Sequence, residues 1–247
     1  MVWVPAWLGN FYSKIYLYYG DRPFSVEEVG EELNITDRQK LRVILFRLHR
    51  AGYIERVARG VYRAMDPLMI VLNTVGNAWM RMVRQGEYVP LIRGFVCEVF
   101  KKYDGRVVSL VLFGSVARGE ARENSDLDFL VVVRDLPENY SQRVKEFSEI
   151  LEKLTQTKLS LWERSGIFAN IEAVLLTPEE ASINQPFYLD MLTGSIVVYD
   201  RKDFMKGILS KLRGKLEELG ARKITTPRGD WYWQLKDKLE RGEVLEI

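Results

Sequence analysis

The sequence predicts an α+β protein whose helices and strands are divided between two domains. Between residues 5 and 66, segments with apolar residues at helical spacing precede two short strand-like runs around a glycine turn. Beyond residue 90, apolar runs of strand length alternate with amphipathic helical segments. The chain has 247 residues, of which 47% are apolar and 28% charged, so it is long and apolar enough for one large or two smaller globular domains.

Composition excludes several classes of function. The net charge of +2 does not by itself indicate nucleic-acid binding, so any such signal must be local. The single cysteine, Cys97, rules out an intrachain disulfide, and with His49 as the only histidine a structural zinc site lacks ligands. We expect a cytoplasmic protein without membrane contact, because the sequence shows neither a signal peptide nor an apolar run near the roughly 20 residues that span a bilayer.

Three helices are predicted in the first 52 residues. Residues 1–20 are rich in aromatics at helical spacing, which favours a core-facing helix and leaves a homodimer contact as the alternative. Ser25 and Glu28 form the pattern of a capping box that opens a short second helix. Thr36 with Gln39 suggests a second box, opening a third helix that Gly52 ends.

The third helix and the two strands after it carry a local excess of positive charge. Residues 53–57 and 61–64 read as strands around the turn 58–60. Helix, helix, basic helix and basic hairpin together resemble a winged helix-turn-helix, which implies that the third helix enters the DNA major groove and that the hairpin contacts phosphate. The predicted DNA contacts are Arg38, Gln39, Arg42, Arg59 and Arg63. The alternatives are a merely solvated basic face or a domain for protein contacts.

The whole chain is predicted to have four parts: a winged helix-turn-helix domain at 1–66, a connecting helix at 67–89, a second domain at 90–202 and a C-terminal helical tail at 203–247. Within the second domain, helices are predicted at 90–102 and 140–155, an edge strand at 159–162 and strands at 171–176 and 195–199. In the tail, the Trp231-Tyr232-Trp233 cluster either fixes the tail to the body or stacks on single-stranded bases.

The second domain contains two buried-strand patterns joined by a polar segment with unusual chemistry. Gly114 ends the strand 107–113, and Ser115 is predicted as the N-cap of one helical turn, 116–119. Asp126 and Asp128 open the next strand, and their spacing places both carboxylates on one face. Two such carboxylates repel each other unless a cation lies between them, and carboxylate oxygens suit Mg²⁺ or Mn²⁺. The alternative is a surface turn with ordinary capping and ion pairs.

Gly114-Ser115-Val-Ala-Arg118-Gly119 through Ser125-Asp126-Leu-Asp128 resembles the signature of the DNA polymerase beta superfamily of nucleotidyltransferases, in particular the minimal nucleotidyltransferases of archaea and bacteria. The resemblance implies an archaeal source, a mixed sheet with flanking helices, and Mg²⁺ or Mn²⁺ on Asp126 and Asp128. It also implies nucleotide binding by Gly114, Ser115, Arg118 and Ser125, although an ion pair from Arg118 to Glu120 or Glu123 is equally compatible. The superfamily's third acid, a catalytic residue and metal ligand, corresponds to Glu172; Glu163 or no third acid are the alternatives.

The function that the resemblance implies is transfer of a nucleoside monophosphate from an NTP to a hydroxyl of a protein, an RNA or a small molecule. The alternative is a DNA-binding transcriptional regulator, or an antitoxin-like protein, whose nucleotidyltransferase fold only binds nucleotide. A scaffold that uses the N-terminal domain for protein contacts is a third reading. A separately encoded partner protein is compatible with each of them.

Overall fold

The computed structural model describes residues 4–75, 79–226 and 231–236. The chain forms two compact units, Met1–Asn77 and Ala78–Ile247. No helix among these residues is long and apolar enough to cross a membrane.

The first unit contains four helices and a small antiparallel sheet. In chain order the elements are α1 (Ala6–Tyr19), β1 (Phe24–Ser25), α2 (Val26–Glu32), α3 (Arg38–Ala51), β2 (Ile54–Ala58), β3 (Val61–Ala64) and α4 (Pro67–Val75). The strands lie in the order β1-β3-β2. Ile15 of α1 and Leu41, Leu45 and Leu48 of α3 are buried in its core. The buried face of α1 also includes Leu8, Tyr12 and Tyr19, whereas Trp7 and Tyr18 are exposed, so the predicted aromatic stripe is only partly the core face.

Local capping signals account for most of the helix ends in this unit. The capping box of Ser25 and Glu28 is confirmed at the start of α2. The predicted box at Thr36 is wrong: the N-cap of α3 is Asp37, whose Oδ1 accepts hydrogen bonds from the Gln39 and Lys40 amides at 2.9 and 3.0 Å. An ionised carboxylate is the stronger acceptor for these amides, which explains the choice. Gly52 ends α3 in the left-handed conformation, as predicted.

The second unit is built on a four-stranded mixed sheet. Its elements are α5 (Val89–Tyr103), β4 (Val107–Phe113), α6 (Gly114–Arg118), β5 (Leu127–Val133), α7 (Tyr140–Glu152), α8 (Thr155–Ser165), β6 (Ile171–Leu176), α9 (Pro178–Ala181), α10 (Tyr188–Met191), β7 (Ile196–Asp200), α11 (Phe204–Glu218), β8 (Arg222–Thr225) and β9 (Trp231–Gln234). The sheet order is β6-β5-β4-β7, with β5 and β6 parallel and the other pairs antiparallel. The predicted mixed sheet with flanking helices is confirmed.

The two central strands are buried on both faces. Val111 of β4 and Leu130 of β5 pack with Tyr188 and Met205 from the α10 and α11 side. On the opposite face, Phe129 contacts Phe95 of α5, with ring centroids 4.4 Å apart. This burial explains why both strands read as continuous apolar runs rather than as alternating ones. The buried core holds both strands in place, and the polar residues of the motif lie at the ends of these strands.

The predicted edge strand at 159–162 is wrong, because these residues lie inside α8. β5 and β6 are parallel neighbours, so the chain between them must return across the sheet, and a helical crossover is the usual solution. The predicted helix at 140–155 ends at Glu152, and α8 provides the rest of the crossover. The alternating apolar pattern at Leu159 and Leu161 suggested a strand, but in the folded chain these residues belong to the second helix of the crossover.

The connecting helix and the C-terminal tail also differ from the prediction. The connecting segment is helical over Pro67–Val75, with a separate 3₁₀ turn at Trp79–Arg81, and residues 76–78 lie outside the described part. Among the described residues of the tail, 203–226 and 231–236, the long helix is α11, and β8 and β9 form an antiparallel pair. Aromatic residues in β9 favour this strand pairing over a helix. Residues 237–247 of the predicted helical tail lie outside the described part.

Candidate active site

Three strand ends bring the predicted catalytic residues to one edge of the sheet. Asp128 of β5 is paired with Phe113 of β4 on one side and with Glu172 of β6 on the other. Gly114 directly follows Phe113, so the glycine lies just after the end of β4, at the same end of the sheet as the aspartate on β5 and the glutamate on β6. Glu163, the alternative third acid, is exposed on α8. The parallel register therefore favours Glu172.

Gly114 and the Asp128 carboxylate are in close contact. The backbone of Gly114 has a φ of +73°, and a Cβ added there would lie 2.0 Å from Asp128 Oδ2. A side chain at this position would be strained and would also displace the carboxylate. The glycine thus makes room for the aspartate as well as ending the strand.

Ser115 does not cap a helix, contrary to the prediction. Helix α6 begins one residue earlier, at Gly114, and its N-cap residue Phe113 supplies no side-chain hydrogen bond. The left-handed glycine permits this early start after the strand. The Ser115 amide therefore belongs to the first turn of α6, where amides lack partners within the helix. Its predicted contact with nucleotide phosphate stays a prediction.

Asp128 lies in an unfavourable electrostatic environment for a carboxylate. Desolvation by burial, followed by the negative charges of Glu172, Asp126 and Asp190, raises the pKa of Asp128 to about 6. The positive charge of Arg118 offsets only part of this effect. A bound cation would relieve the same repulsion, so the charge distribution favours cation binding here.

Asp126 is oriented by the loop that precedes β6. Its Oδ1 accepts a hydrogen bond from the Asn170 amide at 3.0 Å, and the Asn170 carbonyl accepts one from the Leu127 amide at 2.8 Å. The Asn170 side-chain oxygen in turn accepts from Lys158 Nζ at 2.9 Å. Asp126 is therefore connected to α8 through a single residue.

Arg118 is already engaged by two carboxylates. Its Nη1 lies 2.7 Å from Asp190 Oδ1 and its Nε lies 2.8 Å from Glu120 Oε2. The guanidinium carbon is also 5.9 Å from the centre of the Trp231 ring. The ion pair with Glu120, the alternative interpretation of this arginine, is thus present, and a phosphate would have to compete with both acids. Sequence reasoning missed Asp190, since nothing in the sequence links it to Arg118.

The polar segment between α6 and β5 is held by side chains that sequence reasoning also missed. Gln85 makes two hydrogen bonds to the backbone of Ala121, at 2.9 and 3.0 Å. The Tyr88 hydroxyl donates to the Arg122 carbonyl at 3.1 Å. Ser125 Oγ accepts from the Arg122 amide at 2.8 Å, so Ser125 orders the turn before Asp126. Its predicted nucleotide contact stays a prediction.

The donor set fits a divalent cation in chemistry, although not as a complete site. Within residues 4–75, 79–226 and 231–236, no three His, Cys, Asp or Glu side chains are gathered closely enough to hold a metal ion by themselves. Asp126 and Asp128 nevertheless supply the hard oxygen ligands that Mg²⁺ and Mn²⁺ prefer, and their repulsion favours a cation. Mg²⁺ usually completes its shell with water and substrate phosphates, so a two-carboxylate site suits it.

The raised pKa of Asp128 predicts how the metal-free protein responds to pH. The unfolded-state pKa is about 3.9 and the folded value about 6, so the folded state binds this proton more tightly. The resulting stabilisation is complete below pH 4 and is lost as the pH rises through 6. Above pH 7 we expect Asp128→Asn to be more stable than wild type by about 1 kcal/mol after solvent screening, or about 2–4 °C in Tm.

Thermal unfolding of both proteins between pH 4.5 and 8, in EDTA and in Mg²⁺, tests this prediction. Mg²⁺ should raise the Tm of wild type at pH 8 and should thereby reduce the difference in Tm between wild type and Asp128→Asn. If the Tm of the two proteins in EDTA changes with pH in the same way, ionisation of Asp128 does not destabilise the fold.

The predicted DNA-contact residues all lie in the first unit, but not in equivalent environments. Arg38, Gln39 and Arg42 are exposed in the first turns of α3, and Arg59 is exposed in the turn between β2 and β3. Arg63 is half-buried on β3 and lies 3.4 Å from Glu55. The first four are available to a ligand, whereas Arg63 is partly neutralised.

Comparison with known proteins identifies relatives of the second unit. Residues 91–183 match the family model described as a nucleotidyltransferase domain. A Methanocaldococcus jannaschii protein named "Putative protein adenylyltransferase" is 34% identical over 121 residues, which make up 48% of this chain and 76% of that protein. Another protein of the same organism and description is 31% identical over 87 residues, or 35% of this chain and 96% of that protein.

Among solved structures, a chain from a crystal structure of a toxin-antitoxin with AMP-PNP has a TM-score of 0.33 and 17% identity over 51% of this chain and 90% of that chain. This similarity is too low to carry an argument.

The matched region 91–183 contains Gly114, Asp126, Asp128 and Glu172, the four residues that the sheet brings to one edge. The similarity of sequence and the geometry of the strand ends therefore refer to the same part of the chain. The chain belongs to the nucleotidyltransferase-domain family and is a transferase of phosphorus-containing groups.

Proposed function

We propose that the protein transfers AMP from ATP to a hydroxyl group of a protein, with Mg²⁺ or Mn²⁺ as cofactor. The observation that carries this proposal is the placement of Asp128 between Gly114 and Glu172 at the end of the sheet. The choice of ATP and of a protein acceptor follows the names of the two M. jannaschii relatives. An RNA acceptor is the alternative that the experiment below separates from a protein acceptor.

The proposed roles follow from the position of each side chain. Asp126 and Asp128 hold the cation, which when bound would neutralise charge on the triphosphate. Asp126 is kept in place by the Asn170 amide, and Asp128 by its fit against Gly114. Ser115 contributes a first-turn amide toward phosphate oxygen.

Glu172 is exposed, which suits a group that exchanges a proton with an incoming acceptor. In the proposed reaction, the acceptor oxygen attacks the α-phosphorus and the bond to the bridging oxygen breaks. Pyrophosphate leaves with the bond's electron pair, and the hydroxyl proton passes to Glu172. A water-exposed carboxylate can return this proton to solvent. Because the acceptor oxygen itself displaces pyrophosphate, no covalent enzyme intermediate is needed.

Incubation with each α-labelled NTP and Mg²⁺, against total cell protein and total RNA, tests the proposal. The Asp126→Asn/Asp128→Asn protein is the control. We expect label from ATP on a protein band with wild type and none with the control. Label on RNA alone would show that the acceptor is an RNA and not a protein. NTP binding without any label would favour the nucleotide-sensing regulator.

A second proposed function is DNA binding by the first unit. Three exposed polar side chains begin α3, and an exposed arginine lies at the tip of the β2–β3 turn. This arrangement supports the proposed winged helix-turn-helix, in which the start of the third helix faces base edges and the wing faces phosphate. A promoter-bound transferase that regulates its own synthesis is compatible with both functions.

Replacing Arg38, Arg42 and Arg59 by alanine should weaken binding to a 30-base-pair DNA duplex about tenfold or more at low salt. Each lost phosphate contact should reduce the slope of log affinity against log salt by about 0.9. Fluorescence anisotropy between 50 and 200 mM salt measures both quantities. Lys206→Ala/Lys211→Ala/Arg213→Ala, which removes the same charge from exposed positions on α11, should have a much smaller effect. Equal losses in the two variants would reject a local DNA site.

A further inference from the structure

The helical crossover beside the candidate active site encloses an apolar cleft. It has a volume of about 520 Å³ and is formed by α7, α8 and the segment that leads into β6. Its lining includes Leu151, Leu159, Trp162, Phe168 and Ala169. A volume in this range is sufficient for a large side chain or a small ligand.

The large side chains of the cleft are unusually exposed. Leu159, Trp162 and Phe168 have exposed fractions of 42%, 53% and 57%. Leu161, the neighbouring residue on α8, is buried, so one side of the helix packs into the interior of the unit and another side presents apolar groups. Clustered exposed apolar groups of this kind mark binding surfaces.

Hydrogen bonds link the cleft to the catalytic edge of the sheet. Lys158, which lines the cleft, donates to the Asn170 side chain at 2.9 Å, and the Asn170 amide holds Asp126. Ala169, also in the lining, is the residue directly before Asn170. A ligand that binds in the cleft would therefore contact Lys158, which is connected through Asn170 to the proposed metal ligand Asp126.

The charges of the cleft argue against a nucleic-acid occupant. The ionisable residues in its lining are Glu152 and Lys158, whose charges cancel. Strands of DNA or RNA are bound by grooves with a continuous excess of positive charge beside the aromatic platforms. An apolar cleft with balanced rim charges is instead suited to an apolar side chain of a protein.

We propose that this cleft docks the protein acceptor, by receiving a large apolar or aromatic side chain that lies a few residues from the modified hydroxyl. The inference rests on the proposed transfer to protein and adds the surface that selects the acceptor. Trp162 and Phe168 provide the contact area, and Lys158 with Asn170 connects the docked segment to Asp126. Acceptors are then selected by a hydrophobic anchor near a Ser, Thr or Tyr.

The test uses a library of 12-residue peptides, each with a single Ser, Thr or Tyr and varied flanking residues, together with α-labelled ATP and Mg²⁺. Wild type should label peptides that carry a large apolar residue near the hydroxyl. Trp162→Ala/Phe168→Ala should raise the KM for the best peptide at least about tenfold, while kcat and the KM for ATP change less than about twofold. Trp162→Phe should restore most of the peptide affinity.

Tyr140→Ala is the matched control, because Tyr140 is an aromatic residue of α7 with an exposed fraction of 77% that does not line the cleft. It should leave both KM values unchanged. An unchanged peptide KM in the cleft variant would overturn the docking proposal, and a raised KM for ATP would assign the cleft to the nucleobase instead. Labelling of an RNA oligonucleotide that depends on Trp162 would also overturn it. If wild type labels a band of total cell protein but no peptide, the docking proposal alone fails. If it labels neither, the proposed protein acceptor fails, and the docking proposal fails with it.

Discussion

Replacing Asp128 with asparagine should reduce the rate of nucleotidyl transfer by about 10³-fold or more. The variant keeps the shape of the side chain but removes a negative charge at the point where Gly114, Phe113 and Glu172 meet. A cation bound at this position would contribute several kcal/mol of charge stabilisation to phosphoryl chemistry, and about 4 kcal/mol corresponds to 10³ in rate. The same substitution should stabilise the metal-free fold at neutral pH, because ionised Asp128 is repelled by its neighbours.

Single-turnover transfer from α-labelled ATP, at saturating Mg²⁺, measures the first effect, and thermal unfolding measures the second. Opposite directions for activity and stability would distinguish a functional carboxylate from a structural one. A variant that lost both would show that Asp128 supports the fold, and a variant that kept full activity would remove this aspartate from the proposed site.

The third carboxylate can be assigned by comparing two glutamates. Glu172→Gln should lower the rate by about 10²-fold or more, the usual contribution of a positioned acid or base. Glu163→Gln is the matched control, since Glu163 is an exposed acid on α8 outside the register of β5 and β6. Equal rates in the two variants would leave the site without a third acid.

The parts of the site that sequence predicted are those with local causes. The strand that ends before Gly114 and the strand that begins after Asp126 are visible in the sequence as apolar runs with polar ends. The two-residue period of a strand determines which of its residues share a face. The pairing of Asp128 with Glu172 is a consequence of topology, and its prediction relied on family resemblance rather than on any local pattern. The capping box at Ser25 is local as well, and it is present.

The parts that sequence missed depend on contacts between distant segments. Asp190 reaches Arg118 across 72 positions, and Gln85 supports Ala121 across 36. The strand predicted at 159–162 follows the local alternation, which the parallel crossover overrides. Polar side chains that hold a loop or an arginine leave no periodic signal, because their partners are set only when the sheet has formed.

Among the described glycines of the second unit, Gly114 should tolerate replacement by alanine least. The added Cβ would lie 2.0 Å from Asp128 Oδ2 and would occupy a residue with a φ of +73°. The left-handed conformation alone costs an alanine about 1–2 kcal/mol. The contact adds a further cost and pushes the carboxylate out of its position, so we expect a loss of stability above about 2 kcal/mol together with a loss of activity close to that of Asp128→Asn.

Two further proteins separate the backbone cost from the contact. Gly220 has a φ of +69° with nothing within 4 Å of the position that an added Cβ would take, so Gly220→Ala should lose only the backbone contribution and keep full activity. In Asp128→Ala the carboxylate is absent and only the Cβ of residue 128 remains, 3.3 Å from the added methyl, so Gly114→Ala in that background should cost little more than the backbone contribution. The difference between the two backgrounds is the coupling energy of Gly114 and Asp128, measured by chemical denaturation as a double-mutant cycle. A coupling of more than about 1 kcal/mol is expected, because the glycine is required by the aspartate. Additive effects would mean that Gly114 is needed only for the turn, and that Asp128 keeps its position without it.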